Sequence, residues 1–138
     1  MTFLAADFNW AWALTAAVSA SLLAFPALRA RGGGAAVSPA LATQLMNRED
    51  AVVVDVREPD EWKAGHILNA RHIPLAELEK RLGDLAKFKA KPVIVSCRSG
   101  SRAASASRIL RKNGFEKVYT LEGGMQAWEQ AGLPTSKK

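Results

Sequence analysis

Two short stretches of the chain are apolar without alternation: residues 51–54 (Ala-Val-Val-Val), which run into Asp55, and residues 92–96 (Pro-Val-Ile-Val-Ser), which run into Cys97. Continuous runs of this length predict strands covered on both faces, since a strand with one wet face would alternate. Residues 70–73 and 117–121 predict two further strands. The segments between them have helical signals. Ser38-Pro39 is an N-cap followed by a first-turn proline, with Leu41, Leu45 and Met46 as an apolar stripe. Residues 59–64 predict a short helix, and residues 74–85 a longer one with Leu75, Leu78, Leu82 and Leu85 on one side. Residues 102–112 predict a helix stopped by Asn113-Gly114. Gly123-Gly124 precedes a last helix over 125–130, ended by Gly132 and Pro134. Strands alternating with helices predict an α/β fold, a parallel sheet flanked by helices on both faces.

The N-terminal pattern is different. Between Asp7 and Arg29 no residue is charged, and the 21 residues 8–28 are rich in Ala, Leu, Val, Phe and Trp. At about 1.5 Å per residue this matches a hydrocarbon core of roughly 30 Å. A cleaved signal peptide would have a basic leader and a shorter apolar stretch; here Asp7 precedes the run, and Arg29 and Arg31 follow it. A buried core helix would show a polar face. One transmembrane helix therefore precedes the fold on this reading, with residues 1–30 as an anchor, 31–36 as a Gly-rich linker and 37–138 as the main domain. Trp10 and Trp12 suit an interfacial belt, and the arginines after the span place the domain on the cytoplasmic side of the inner membrane as a single-pass protein.

With 138 residues and 49% hydrophobic content the chain has room for one ordinary domain beside that segment. A single cysteine excludes an intramolecular disulfide and fits a reducing compartment. The formal charge of +6 does not indicate nucleic acid, because bases and acids are interspersed over most of the domain and no binding motif is present. An anionic membrane surface is the more natural use of that surplus. From Asp84 to Glu116 no acid intervenes, while Lys87, Lys89, Lys91, Arg98, Arg102, Arg108, Arg111 and Lys112 all fall inside. That interval predicts a positive field around Cys97, favouring an anionic substrate.

Cys97 stands between a predicted strand and a predicted helix. The reactive form of cysteine is the thiolate, which helix-terminal amides and nearby arginines stabilise. Gly100 permits a tight turn whose N–H groups converge on one centre. A free cysteine is often only a small buried hydrophobe, but Cys97 is followed by the polar and small residues Arg98, Ser99, Gly100, Ser101 and Arg102. Asp55 and Cys97 both end strands, so the fold predicts that they meet at the carboxyl edge of the sheet.

Three stretches together resemble the single-domain rhodaneses, a sulfurtransferase family, over about residues 37–133: the segment from Asp55 through Trp62 to Ile67, the loop from Cys97 to Arg102, and the segment from Leu121 through Gly123-Gly124 to Trp128. Asn69 stands where a glycine is commoner, and asparagine is the residue that best replaces glycine in a left-handed backbone. The resemblance implies that Cys97 takes the outer sulfur of thiosulfate or a persulfide, holds it as a persulfide, and passes it to cyanide, a thiol or a protein. Arg98 and Arg102 would orient the anionic donor, and the backbone of residues 98–102 would stabilise the charge. Asp55, Arg57 and Glu58 would brace that edge, and His66 would stabilise a turn. Trp62 and Trp128 would be packing anchors. No cofactor or metal is implied: His72 and the cysteine lack ligand spacing, and Gly123-Gly124 is a weak phosphate signal. Two other readings are a cysteine phosphatase or arsenate reductase, which uses five residues between Cys and Arg where this chain has four, and a membrane-tethered module that binds partners or senses sulfur without turnover.

Overall fold

The computed structural model describes residues 35–138. In chain order the elements are β1 (Ala35–Val37), α1 (Pro39–Arg48), β2 (Val52–Asp55), α2 (Pro59–Ala64), β3 (His66–Ile67) and β4 (Arg71–His72), followed by 3₁₀ segments at Leu75–Glu77 and Leu82–Phe88. They continue with β5 (Val93–Ser96), α3 (Ser101–Lys112), β6 (Val118–Leu121), α4 (Gly124–Gln130) and β7 (Thr135–Ser136).

Five strands form one parallel sheet in the order β1-β6-β5-β2-β4, and β3 pairs antiparallel with β7 as a separate ribbon. The unalternating apolar runs have the expected consequence. In β2, Val54 joins an apolar cluster on one face and Val53 a cluster on the other; in β5, Val93 and Val95 face the first and Ile94 the second. Ala103, Ala106 and Leu110 of α3 cover the first face together with Leu78, Leu85 and Phe88. Ala42 of α1 and Met125 and Trp128 of α4 cover the second. Ile94 is fully buried, and its truncation to Ala would cost about 2–5 kcal/mol.

The chain passes outward from β2 to β4, then returns across β2 to β5 and continues the opposite way to β6. β2 and β5 are thus neighbours whose crossovers diverge, and a crevice opens at their carboxyl ends, the general position of sites in such sheets.

Two expectations are corrected. Ala35 and Ala36, read as the end of the linker, pair with Tyr119 and Thr120 in the edge strand β1, so the sheet begins two residues before the predicted domain start. The helix expected over 74–85 is two 3₁₀ segments extending to Phe88. Its apolar residues recur every three positions, at 75 and 78 over the first segment and its C-cap and at 82, 85 and 88 in the second, the spacing that a three-residue turn places on one side. Among the described residues no helix is long and apolar enough to cross a membrane; the candidate span 8–28 lies outside the described residues.

Candidate active site

Cys97 directly follows β5, and the turn Arg98-Ser99-Gly100 leads into α3. Its sulfur is buried, and Gly100, the N-cap of α3 with φ 122°, donates its N–H to Sγ at 2.9 Å. The first N–H groups of α3, at Ser101, Arg102 and Ala103, have no acceptor within the helix and sit at its electropositive end. Register pairs Asp55 with Ser96, and Val56 donates to the Ser96 carbonyl at 3.0 Å, so the ends of β2 and β5 meet as expected.

Asp55 is fully buried and Arg57 nearly so. The Asp55 carboxylate accepts from the Arg57 backbone N–H at 3.0 Å and from Nε and Nη2 at 2.9 and 2.8 Å, while Nη2 also donates to the Gly65 carbonyl at 2.7 Å. This pair ties the end of β2 to the end of α2. His72 Nε2–H donates to the Arg57 carbonyl and His66 Nδ1–H to the Trp62 carbonyl, each at 2.8 Å. The Trp62 ring stacks against His66 at 3.4 Å and His72 at 4.8 Å between centroids. Both histidines therefore brace this turn, and Trp128, buried, donates Nε1–H to the Pro134 carbonyl at 3.0 Å.

The carboxylate that reaches the cysteine loop is Glu61, one turn after Glu58. Arg102 donates from Nη1 to Oε1 at 2.6 Å and from Nη2 to Oε2 at 2.9 Å, a two-bond fork between α3 and α2. The Arg102 hydrogen bonds hold the Glu61 carboxyl down at about 2, and Glu61 in turn raises the Arg102 guanidinium. Glu58 caps α2 and donates its backbone N–H to Glu61 Oε1 at 3.2 Å. Glu61 escaped the sequence reading because its partner is 41 residues away; its position three after a helix cap was the available signal.

Of the two arginines expected to bind a donor, Arg102 is engaged by Glu61, whereas the exposed Arg98 has no side-chain partner among the described residues. Ser99 and Ser101 are exposed beside it. Arg57 and Glu61 face Arg98, Met125 and Gln126 across an open groove of about 320 Å³. Gly123-Gly124 has a structural role. Gly124, at φ 55°, brings the start of α4 against the loop, so that Met125 donates to the Cys97 carbonyl at 2.8 Å and Gln126 to the Arg98 carbonyl at 3.4 Å.

Of the bases in the acid-free interval, Arg98 and Arg102 stand at the Cys97 loop, but the lysines do not. Lys87, Lys89, Lys91 and Lys112 precede the starts of β5 and β6, at the opposite edge of the sheet, and Arg111 donates to the Val118 carbonyl there at 3.1 Å. Sequence neighbours separate because each strand carries the chain from one edge to the other.

The sequence profile of the rhodanese-like domain family matches residues 38–131. The thiosulfate sulfurtransferase GlpE of Coxiella burnetii is 39% identical over 95 residues, 69% of this chain and 86% of that protein. The uncharacterized protein YibN of Escherichia coli K12 is 40% identical over 94 residues, 67% of this chain and 66% of its own length. The uncharacterized protein slr1261 of Synechocystis is 39% identical over 101 residues, of which the chain spans 55% of that protein's length. This chain thus spans between about half and two thirds of the last two relatives. The crystal structure of a rhodanese-related protein from Thermoplasma volcanium superposes with a TM-score of 0.68 at 31% identity, covering 75% of this chain and 99% of that one.

Proposed function

Because the chain belongs to the rhodanese-like domain family, whose members include thiosulfate sulfurtransferases, we propose that it moves a sulfane sulfur from an anionic donor to an external acceptor through Cys97. The observation that carries this reading is the Gly100 N–H aimed at Cys97 Sγ, at 2.9 Å, where β5 passes into α3. A donor for an anion stands where the sulfur must bear negative charge.

The Cys97 thiolate attacks the outer sulfur of thiosulfate. A bond forms between Sγ and that sulfur, the bond to the sulfonate sulfur breaks, and its electron pair leaves with sulfite. The remaining group, Cys97-S-S⁻, carries one negative charge, which the Gly100 N–H and the start of α3 stabilise. Arg98, exposed and unpaired among the described residues, attracts the dianionic donor, while Arg102, held by Glu61, anchors α3 against α2. In the second step a nucleophile attacks the outer sulfur of the persulfide and the Cys97 thiolate is released. The chain has one cysteine, so the acceptor, a thiol, cyanide or a protein, comes from outside.

The geometry favours sulfur transfer over a phosphatase or arsenate reductase. Four residues separate Cys97 from Arg102, and both terminal nitrogens of Arg102 are occupied by Glu61, which disfavours a roomy oxyanion cradle closed by that arginine. The test is thiocyanate formation from thiosulfate and cyanide: turnover abolished by Cys97→Ser supports the enzyme, and turnover by neither protein favours the non-catalytic module. Residues 8–28 we propose as a single inner-membrane span, on their length and lack of charge, with the domain in the cytoplasm, on Arg29 and Arg31 after the run. Resistance of the full chain to alkaline extraction from membranes tests it, and release into the supernatant would refute it.

A further inference from the structure

The sheet edge opposite Cys97 gathers basic side chains for which the sulfur chemistry has no use. All five strands of the main sheet begin at that edge, because all run parallel. Arg71 opens β4, Lys91 and Lys117 stand just before β5 and β6, Arg48 ends α1, and Lys87 and Lys89 close the second 3₁₀ segment or follow it. All six are exposed. Glu49, Asp50 and Glu116 share the edge, and only Asp50 pairs with one of these bases, at 3.6 Å from Lys91. At the Cys97 edge, by contrast, Asp55 balances Arg57 and Glu61 balances Arg102.

The bases form a connected surface. Arg71 and Lys87 both lie over the Phe88 ring, at 4.6 and 5.1 Å from its centroid, and Lys89 lies over Phe115 at 6.0 Å. Lys117 stands at the same sheet edge, its backbone carbonyl accepting from Val93 at 2.8 Å beside the start of β5. Arg71, Lys91 and Leu68 line one shallow groove of about 250 Å³, and Leu68 is 47% exposed, a large apolar side chain amid the cations.

We propose that this edge is a docking surface for anionic phospholipid. Basic residues near an anionic bilayer are each attracted within a Debye length, and an apolar side chain at their level enters the headgroup boundary. Ala35, the first described residue, opens β1 at the same edge. Docked this way, the Cys97 loop faces away from the lipid, open to a soluble donor and acceptor. The proposal stands independently of sulfur transfer.

Hydrogen–deuterium exchange on the full chain with nanodiscs of phosphatidylcholine, with and without phosphatidylglycerol, tests it. Exchange over residues 68–71 and 86–91 should slow by about tenfold only where phosphatidylglycerol is present, and recover in high salt. The triple variant Lys87→Glu, Lys89→Glu, Lys91→Glu should lose the effect while keeping its thiocyanate-forming activity, and the wild-type salt response stands even if that variant fails to fold. Residues 8–28 report separately: a span would protect them in both lipids. Equal exchange with and without phosphatidylglycerol would overturn the proposal, as would slowing of the same segments by RNA and not by lipid.

Discussion

Glu61 and Arg102, 41 residues apart in the chain, close a two-bond fork at 2.6 and 2.9 Å that ties the short helix after β2 to the helix after the cysteine loop. Arg102 is the second residue of α3, so the fork sets how the start of that helix lies behind Cys97. Glu61→Gln should lower kcat/KM for thiosulfate by about tenfold or more, since small misplacement of reacting groups is costly. Stability should change by less than about 1 kcal/mol, because the pair is partly exposed. Steady-state kinetics with thermal unfolding checks this, and Glu61→Asp should recover part of the rate. An unchanged rate would show that the fork does not position the loop.

The same pair has a signature in acid. Arg102 holds the Glu61 carboxyl at about 2, below the ordinary value of 4.5. A carboxyl depressed in the folded protein adds stability above its unfolded value, and that contribution fades as pH falls from about 4.5 through about 2. Wild type and Glu61→Gln should therefore differ in urea midpoint near neutral pH and converge at the acid end. A gap that persists or widens in acid would contradict this.

Gly124 is where α4 touches the loop. Its φ is 55°, and a Cβ there would collide with the carbonyl oxygens of Cys97 and Arg98. Gly124→Ala should cost about 3 kcal/mol or more and depress turnover, because the carbonyls it displaces belong to the catalytic turn. Gly132, at φ 69° with open space around it, is the control: Gly132→Ala should cost about 1 kcal/mol and leave turnover unchanged. Denaturant titration of both variants separates the effects of contact and backbone.

Asp55 and Arg57 form a buried pair with side chains 0% and 6% exposed. Removing either partner leaves a buried charge alone, so Asp55→Ala and Arg57→Ala should each cost about 3–5 kcal/mol. The double variant should cost less than their sum by about 1–3 kcal/mol. Equal additivity would show that the two side chains act independently.

How much was legible follows from the range of each interaction. The strands that carry Asp55 and Cys97 were readable because burial on both faces leaves an uninterrupted apolar run, and the meeting of their ends follows from parallel topology. Asn69 takes φ 66°, the left-handed backbone for which an asparagine at that position is suited. The edge strand at Ala35–Val37 was hidden because three small residues have no pattern apart from the β6 partner that orders them. The helix expected after Pro74 failed on a difference of period, three residues against 3.6. Glu61 was obscured by a separation of 41 residues, and the basic field read around Cys97 shrank to Arg98 and Arg102 because local sequence density does not survive an alternation of edges.

The most direct measurement is the intact mass of the full chain after incubation with thiosulfate, beside the Cys97→Ser variant. The expected result is a gain of one sulfur atom on the wild-type protein alone, reversed by a reducing thiol and by cyanide. A folded wild-type chain that gains nothing while its Cys97 still reacts with an alkylating agent, or a Cys97→Ser variant that gains the same mass, would contradict sulfur transfer through Cys97.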